Sequence, residues 1–175
     1  MFYRLLFIAM FFLALFANAN ILKNIKTFDA DFEQKIINPS QKKILYKGHL
    51  FIKEPYYILW HYKEPVLKSV YVINNFATID EPELEQAIFS KLQNEIDIIE
   101  LLKTAKKVDE NRYLAKIYDV EYTLITKDNK ISKIEYKDAL ENSVTITFSN
   151  IIQNREIDEE IFKFLPPEHY DIIRK

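Results

Sequence analysis

The chain has 175 residues, with 24 Lys and Arg against 26 Asp and Glu for a formal charge of −2, which excludes nucleic-acid binding through bulk positive charge. Hydrophobic residues make up 49% and charged residues 29%, a globular balance too apolar for disorder. One glycine, Gly48, and no cysteine exclude glycine-rich phosphate cradles, disulfides, thiol nucleophiles, thiolate metal sites and lipid anchors carried on a cysteine.

The N-terminus reads as a secretory leader. Arg4 precedes an unbroken apolar run from Leu5 to Ala17, and Ala17-Asn18-Ala19 forms a small-x-small cleavage site. That run falls short of the roughly 20 residues a membrane-spanning helix needs. Cleavage after Ala19 is expected, leaving residues 20–175 as a single exported domain, with a Gram-negative periplasm as the destination.

Ile21, Leu22, Ile25 and Phe28 recur at helical spacing and predict a short amphipathic helix acting as a plug or lid. From Phe28 to Ile36 the period becomes two, with Asp29, Asp31, Glu33 and Lys35 on the wet face of a strand. A turn at Asn38-Pro39-Ser40 leads to Ile44–Lys53, apolar on both parities and therefore a strand covered on both faces. Glu54-Pro55 ends it, Tyr56–Tyr62 makes an aromatic strand containing Trp60, and Glu64-Pro65 ends that in turn. Val66–Ile73 follows, closed by Asn74-Asn75, residues that tolerate left-handed turn geometry in the absence of glycine. This spacing predicts an antiparallel meander, barrel or sandwich.

After Pro82, Leu84, Ala87, Ile88 and Leu92 follow a helical period, and after Asn94, Ile98, Ile99, Leu102 and Ala105 do the same. Two short helices are expected to interrupt the sheet. Strand patterns resume at Tyr113–Ile117, Glu121–Thr126, Ile131–Tyr136 and Val144–Phe148. The fold class is mainly β with a helical insert.

His49, His61 and His169 are far apart, and none has the paired spacing of metal ligands. His49 and His61 have the parity opposite to Leu50 and Trp60, which turns them outward. No serine sits between the glycines a nucleophile elbow needs. No enzyme activity, metal or cofactor is expected. The dense apolar parity of Phe28, Ala30, Phe32, Leu50, Ile52, Ile58 and Trp60 fits two structures, an ordinary core or a concave sheet around an apolar cavity.

The chain resembles the LolA family of periplasmic outer-membrane lipoprotein carriers. The resemblance rests on Phe28, Ala30, Phe32 and Gln34; on Gly48, Leu50, Ile52, Lys53 and Pro55; on Trp60, Tyr62 and Pro65; and on the insert after Pro82 and Phe164 with Pro166-Pro167. It implies an incomplete, strongly curved antiparallel barrel capped by short helices around an apolar cavity that shields lipoprotein acyl chains. An inner-membrane ABC transporter would load the cargo and an outer-membrane acceptor would take it off, the carrier working as a monomer without stable membrane insertion. Phe28, Ala30, Phe32, Leu50, Ile52, Ile58 and Trp60 then line the cavity, and an acidic substitution at Ile58 is expected to block transport without unfolding. Leu84, Ala87, Ile88, Leu92, Ile98, Ile99 and Leu102 form the lid, with Ile88, Ile99 and Leu102 filling the empty site. Where the family often has a latching arginine this chain has Glu54, for which a lid cation such as Lys91 or Lys103 would be the partner. The rival reading is a periplasmic lipid-binding or stress-sensor domain of the same fold that binds a membrane protein.

Overall fold

The computed structural model describes residues 21–91 and 98–175; the leader and Leu92 lie outside them. Its architecture is mainly β. The strands are β1 (Thr27–Ile37), β2 (Lys43–Lys53), β3 (Tyr57–Glu64), β4 (Lys68–Ile73), β5 (Phe76–Glu81), β6 (Gln86–Lys91), β7 (Lys106–Asp109), β8 (Arg112–Ile117), β9 (Val120–Lys127), β10 (Lys130–Lys137), β11 (Ser143–Gln153) and β12 (Asp171–Arg174). They form one sheet in the order β12-β6-β5-β4-β3-β2-β1-β11-β10-β9-β8-β7. The sheet curls but stays open, with β12 and β7 at its edges. Neighbours are antiparallel except β12, which runs parallel to β6.

Turns in a chain with one glycine must put side chains at left-handed positions. Asn74, Asp128 and Asn129 take positive φ in turns, Asn154 does so just after β11, and Asn150 does so inside β11 where its pairing with β1 is irregular, as short side chains that bond their own backbone can. Gly48 is needed for another reason. A Cβ on it would sit 2.2 Å from the His61 carbonyl oxygen and 2.8 Å from the Phe32 ring, so only a hydrogen lets β3 and Phe32 close around β2.

One α-helix is present among the described residues, α1 (Ile98–Thr104). Ile98, Ile99, Leu101 and Leu102 are all buried, packed on the face of the sheet that carries Phe28, Leu50, Leu124 and Ile146. We call this the inner face. Leu22 and Ile25, from the 3-10 turn Ile21–Asn24 and the residues after it, join the same cluster. The plug expected at the N-terminus is thus a single turn.

The first insert helix is a correction. Pro82–Leu84 forms only a 3-10 turn, which ends on Glu85 in left-handed geometry (φ 49°), and the chain then extends as β6. Leu84, Ala87 and Ile88 match a helical period, but over so short a window they match a strand equally well. Tertiary pairing decides it, since β6 is hydrogen-bonded on one side to β5 and on the other to β12. The remaining expected strands form, and β5, β7 and β12 were not anticipated.

The C-terminal segment crosses the outer face. Ile157 and Phe162 bury against Leu59, with Phe51, Tyr57 and Tyr71 around them, and Phe164 stacks on Tyr71 at 5.3 Å. This is why β2 is apolar on both parities.

Candidate functional site

Cross-strand register arranges the inner face in rows. One row runs Ala30, Leu50, Trp60, Val70, Ile79, Ile88 and Ile173 across seven strands. A second runs Phe28, Ile52, Ile58, Val72 and Ala77. All seven residues expected on the sheet side therefore share this face. They are not equally covered. Ala30 and Leu50 are fully buried (0%), and Phe28, Phe32, Ile52 and Ile58 are nearly so. Trp60 is half-buried, as are Val70, Ile79, Ile88 and Ile173, and these last four stand outside the contiguous core. The half of the face under α1 is packed, while the half formed by β4, β5, β6 and β12 presents partly exposed aliphatic side chains.

An aromatic group marks the boundary between the halves. Phe32 meets Trp60 edge-on at 4.9 Å and Tyr62 at 5.1 Å, and Tyr62 meets Tyr46 at 5.7 Å. Edge-to-face contacts of this kind hold rings in fixed orientations.

The residues expected in the lid divide. Ile98, Ile99 and Leu102 lie on α1 and are buried in the inner face, joined by Leu101, which the sequence reading omitted. Ile88 is on the inner face but belongs to a strand. Ala87 lies on the outer face, opposite Asp80, which in turn faces Ser69, and Leu84 is 64% exposed in the turn.

Glu54 ties three segments together. Its Oε2 meets Lys26 Nζ at 2.9 Å and its Oε1 meets Lys103 Nζ, on α1, at 3.5 Å; its N–H donates to the Lys26 carbonyl. The hydrogen bond from Lys26 and the charge of Lys103 hold the Glu54 carboxyl below the usual carboxylate range, against a burial effect that raises it. Of the two cations considered from sequence, Lys103 is the partner. Lys91 lies on β6 opposite Phe76. Lys26 was missed because nothing in its local sequence marks it.

Beside its apolar contact with the C-terminal segment, the outer face carries a polar cluster. The His49 ring lies between Asp29 and Asp31, 2.7 Å from an oxygen of each; Arg155 binds Asp29 and Asn150 donates to Asp31. The Asn150 and His49 hydrogen bonds lower the pKa of Asp31. His61 faces outward as expected, bonded through Nδ1 to Ser69 at 2.9 Å, and burial lowers its pKa. Among the described residues no group of His, Asp and Glu is set to hold a metal ion.

Comparison with known proteins matches residues 23–126 to the family model described as "Outer membrane lipoprotein carrier protein LolA". The chain is similar to the outer-membrane lipoprotein carrier protein of Wolinella succinogenes, 36% identical over 154 residues that cover 87% of this chain and 90% of the relative. To that of Campylobacter jejuni it is 37% identical over 151 residues, covering 86% and 88%. Among solved structures, a LolA-superfamily protein of Nitrosomonas europaea superposes with TM-score 0.50 at 10% identity, covering 82% of this chain and 94% of that one. A conserved protein of Thermus thermophilus gives TM-score 0.55 at 8% identity, covering 89% and 95%. These structures share the fold.

Proposed function

Because the chain belongs to the LolA family of outer membrane lipoprotein carrier proteins, we propose that it carries lipoproteins through the periplasm with their acyl chains held against the inner face of the sheet. The observation that carries this reading is the row Val70, Ile79, Ile88 and Ile173, aliphatic yet only half-buried, where an ordinary core would be closed. It is continuous with the buried row beneath α1, so an acyl chain that starts on the open half could extend under the helix once the helix lifts.

The energies permit that exchange. Displacing α1 exposes four buried aliphatic side chains at roughly 1.5–3 kcal/mol each, so roughly 6–12 kcal/mol as an upper bound. One acyl chain of about sixteen carbons gains on the order of 13 kcal/mol on leaving water, at about 0.8 kcal/mol per CH₂. A single chain can therefore replace the helix, and the helix refilling the site offsets much of what is lost when cargo leaves. Glu54 and Lys103 fasten the closed state, an ion-pair latch in place of the family's usual arginine.

The leader directs export and is cleaved after Ala19, an inner-membrane ABC transporter does the loading and an outer-membrane acceptor unloads. The test is to add purified residues 20–175 to energised Gram-negative spheroplasts. Newly made lipoproteins should enter the supernatant in one-to-one complexes with the protein. A folded protein that releases none, with a matched loading transporter present, would overturn the carrier role and favour a lipid-binding or sensor domain.

A further inference from the structure

Lys68 is the first residue of β4 and lies on the inner face, opposite Tyr62 and two residues before Val70. Its ammonium sits 4.7 Å from the centre of the Tyr62 ring and 5.7 Å from that of Tyr46. Among the described residues no carboxylate is within ion-pair distance. The acidic side chains nearest in register are engaged elsewhere, Glu64 with Lys47 at 3.4 Å and Glu81 with Gln86. A half-buried cation held by two ring faces keeps its attraction for an anion, because the rings satisfy it only in part and shed some of its water.

The surface beside it is apolar and elongated. From Val70 through Ile79 and Ile88 to Ile173 the row crosses three strand spacings, about 14 Å at 4.7–4.9 Å each. That is close to one leaflet of a bilayer, about 15 Å as half of the ~30 Å hydrocarbon core. A cation at one end of an aliphatic track of that length fits an amphiphile with an anionic head.

We propose that the inner face holds, beside its acyl surface, a headgroup site centred on Lys68, and that it accepts a phospholipid whose phosphate meets the Lys68 ammonium while an acyl chain lies along Val70, Ile79, Ile88 and Ile173. The proposal rests on the acyl-carrying reading above and adds to it a second ligand class, phosphate-bearing lipid without attached protein. Tyr46 and Tyr62 hold the ammonium over the end of the track, and Trp60, the only tryptophan of the chain, adjoins both Val70 and Tyr62 and reports occupancy.

The experiment titrates the protein with palmitoyl lysophosphatidylglycerol and with monopalmitoylglycerol, below their micelle concentrations, following Trp60 fluorescence. The two probes share an acylglycerol and differ in the anionic phosphoglycerol head. The phosphate lipid should bind about tenfold more tightly, as a charge-assisted contact gives, and the preference should shrink with added salt. Lys68→Met, which keeps an apolar stem over the tyrosines, should abolish the preference and leave monopalmitoylglycerol affinity unchanged. Equal affinities in the wild type, or a preference that survives in Lys68→Met, would overturn the headgroup site and leave the acyl surface standing. Failure of both lipids to bind would overturn both. Glycerol phosphate alone should not compete; competition at the lipid's own affinity would make this a free-anion site and overturn the lipid assignment.

Discussion

Glu54→Gln isolates the tie between α1 and the rest of the chain, because it removes a charge and keeps the shape. Glu54 is 18% exposed while Lys103 and Lys26 are 51% and 70% exposed, so each pair is worth roughly 0.2–1 kcal/mol. Only the Lys103 pair reaches α1, and the variant should lower the opening free energy of that helix by about 0.5 kcal/mol, slightly more than a doubling of its open population. Hydrogen exchange at the amides of 101–105 reads this directly, because local opening can be far easier than global unfolding. The pH dependence has a fixed sign. Since the folded pKa of Glu54 is lowered, the stabilisation is present above the usual carboxylate range and is lost as pH falls through the lowered value. The wild-type helix should loosen on acidification, and Glu54→Gln should lack that component. If the variant and wild type open α1 equally at neutral pH, the ion pair does not latch the helix. A matched loss in Lys103→Met, with no further loss in the double variant, would assign the effect to this pair.

Three further outcomes follow from the packing. Gly48→Ala should destabilise the fold by about 1–3 kcal/mol, since its Cβ would meet the His61 carbonyl at 2.2 Å; an unchanged melting temperature by circular dichroism would contradict the close approach of β2 and β3. Ile79→Glu, on the half-buried row, should melt within a few degrees of wild type yet release no lipoprotein from spheroplasts, whereas Ile58→Glu, only 4% exposed, should unfold because it buries a charge without a partner. Full release by Ile79→Glu would remove that row from the cargo surface. Asp31, held low by Asn150 and His49, stabilises the fold above the usual carboxylate range and loses that contribution in acid. Asp31→Asn should therefore flatten the acid limb of a denaturation profile, and an unaltered limb would show that the cluster carries no linkage.

The inner face was legible in the sequence because a half-buried strand writes its burial at period two. Phe28 to Ile36 gave parity and extent together, and β2, with both parities apolar, announced a second covering layer. What covers it, Ile157 and Phe162, could not be read, since a segment lying across a sheet has no period of its own. For a related reason an acidic residue at Ile58 is expected to disrupt the fold rather than leave it intact, since Ile58 is 4% exposed. Parity puts Ile58 and Ile79 on one face without saying which of them belongs to the closed core. The error at Leu84 to Ile88 came from reading a helical period over too few residues, when the parallel pairing that fixes β6 comes from residues 171–174, more than eighty positions later. Glu54 was marked only by its difference from the family pattern. Its bond to Lys103 depends on how α1 returns to the sheet, and that is a tertiary fact.

In the proposed carrier role, acyl chains lie on the half-open inner face. That placement is tested most directly by putting the photoreactive residue p-benzoylphenylalanine at position 79, and separately at 78, whose side chain faces the outer side, then irradiating each protein while it releases lipoproteins from spheroplasts. Crosslinks to the lipid-bearing end of the cargo should form from position 79 and none from 78. Crosslinks from 78 with none from 79, in a protein that still releases cargo, would contradict it.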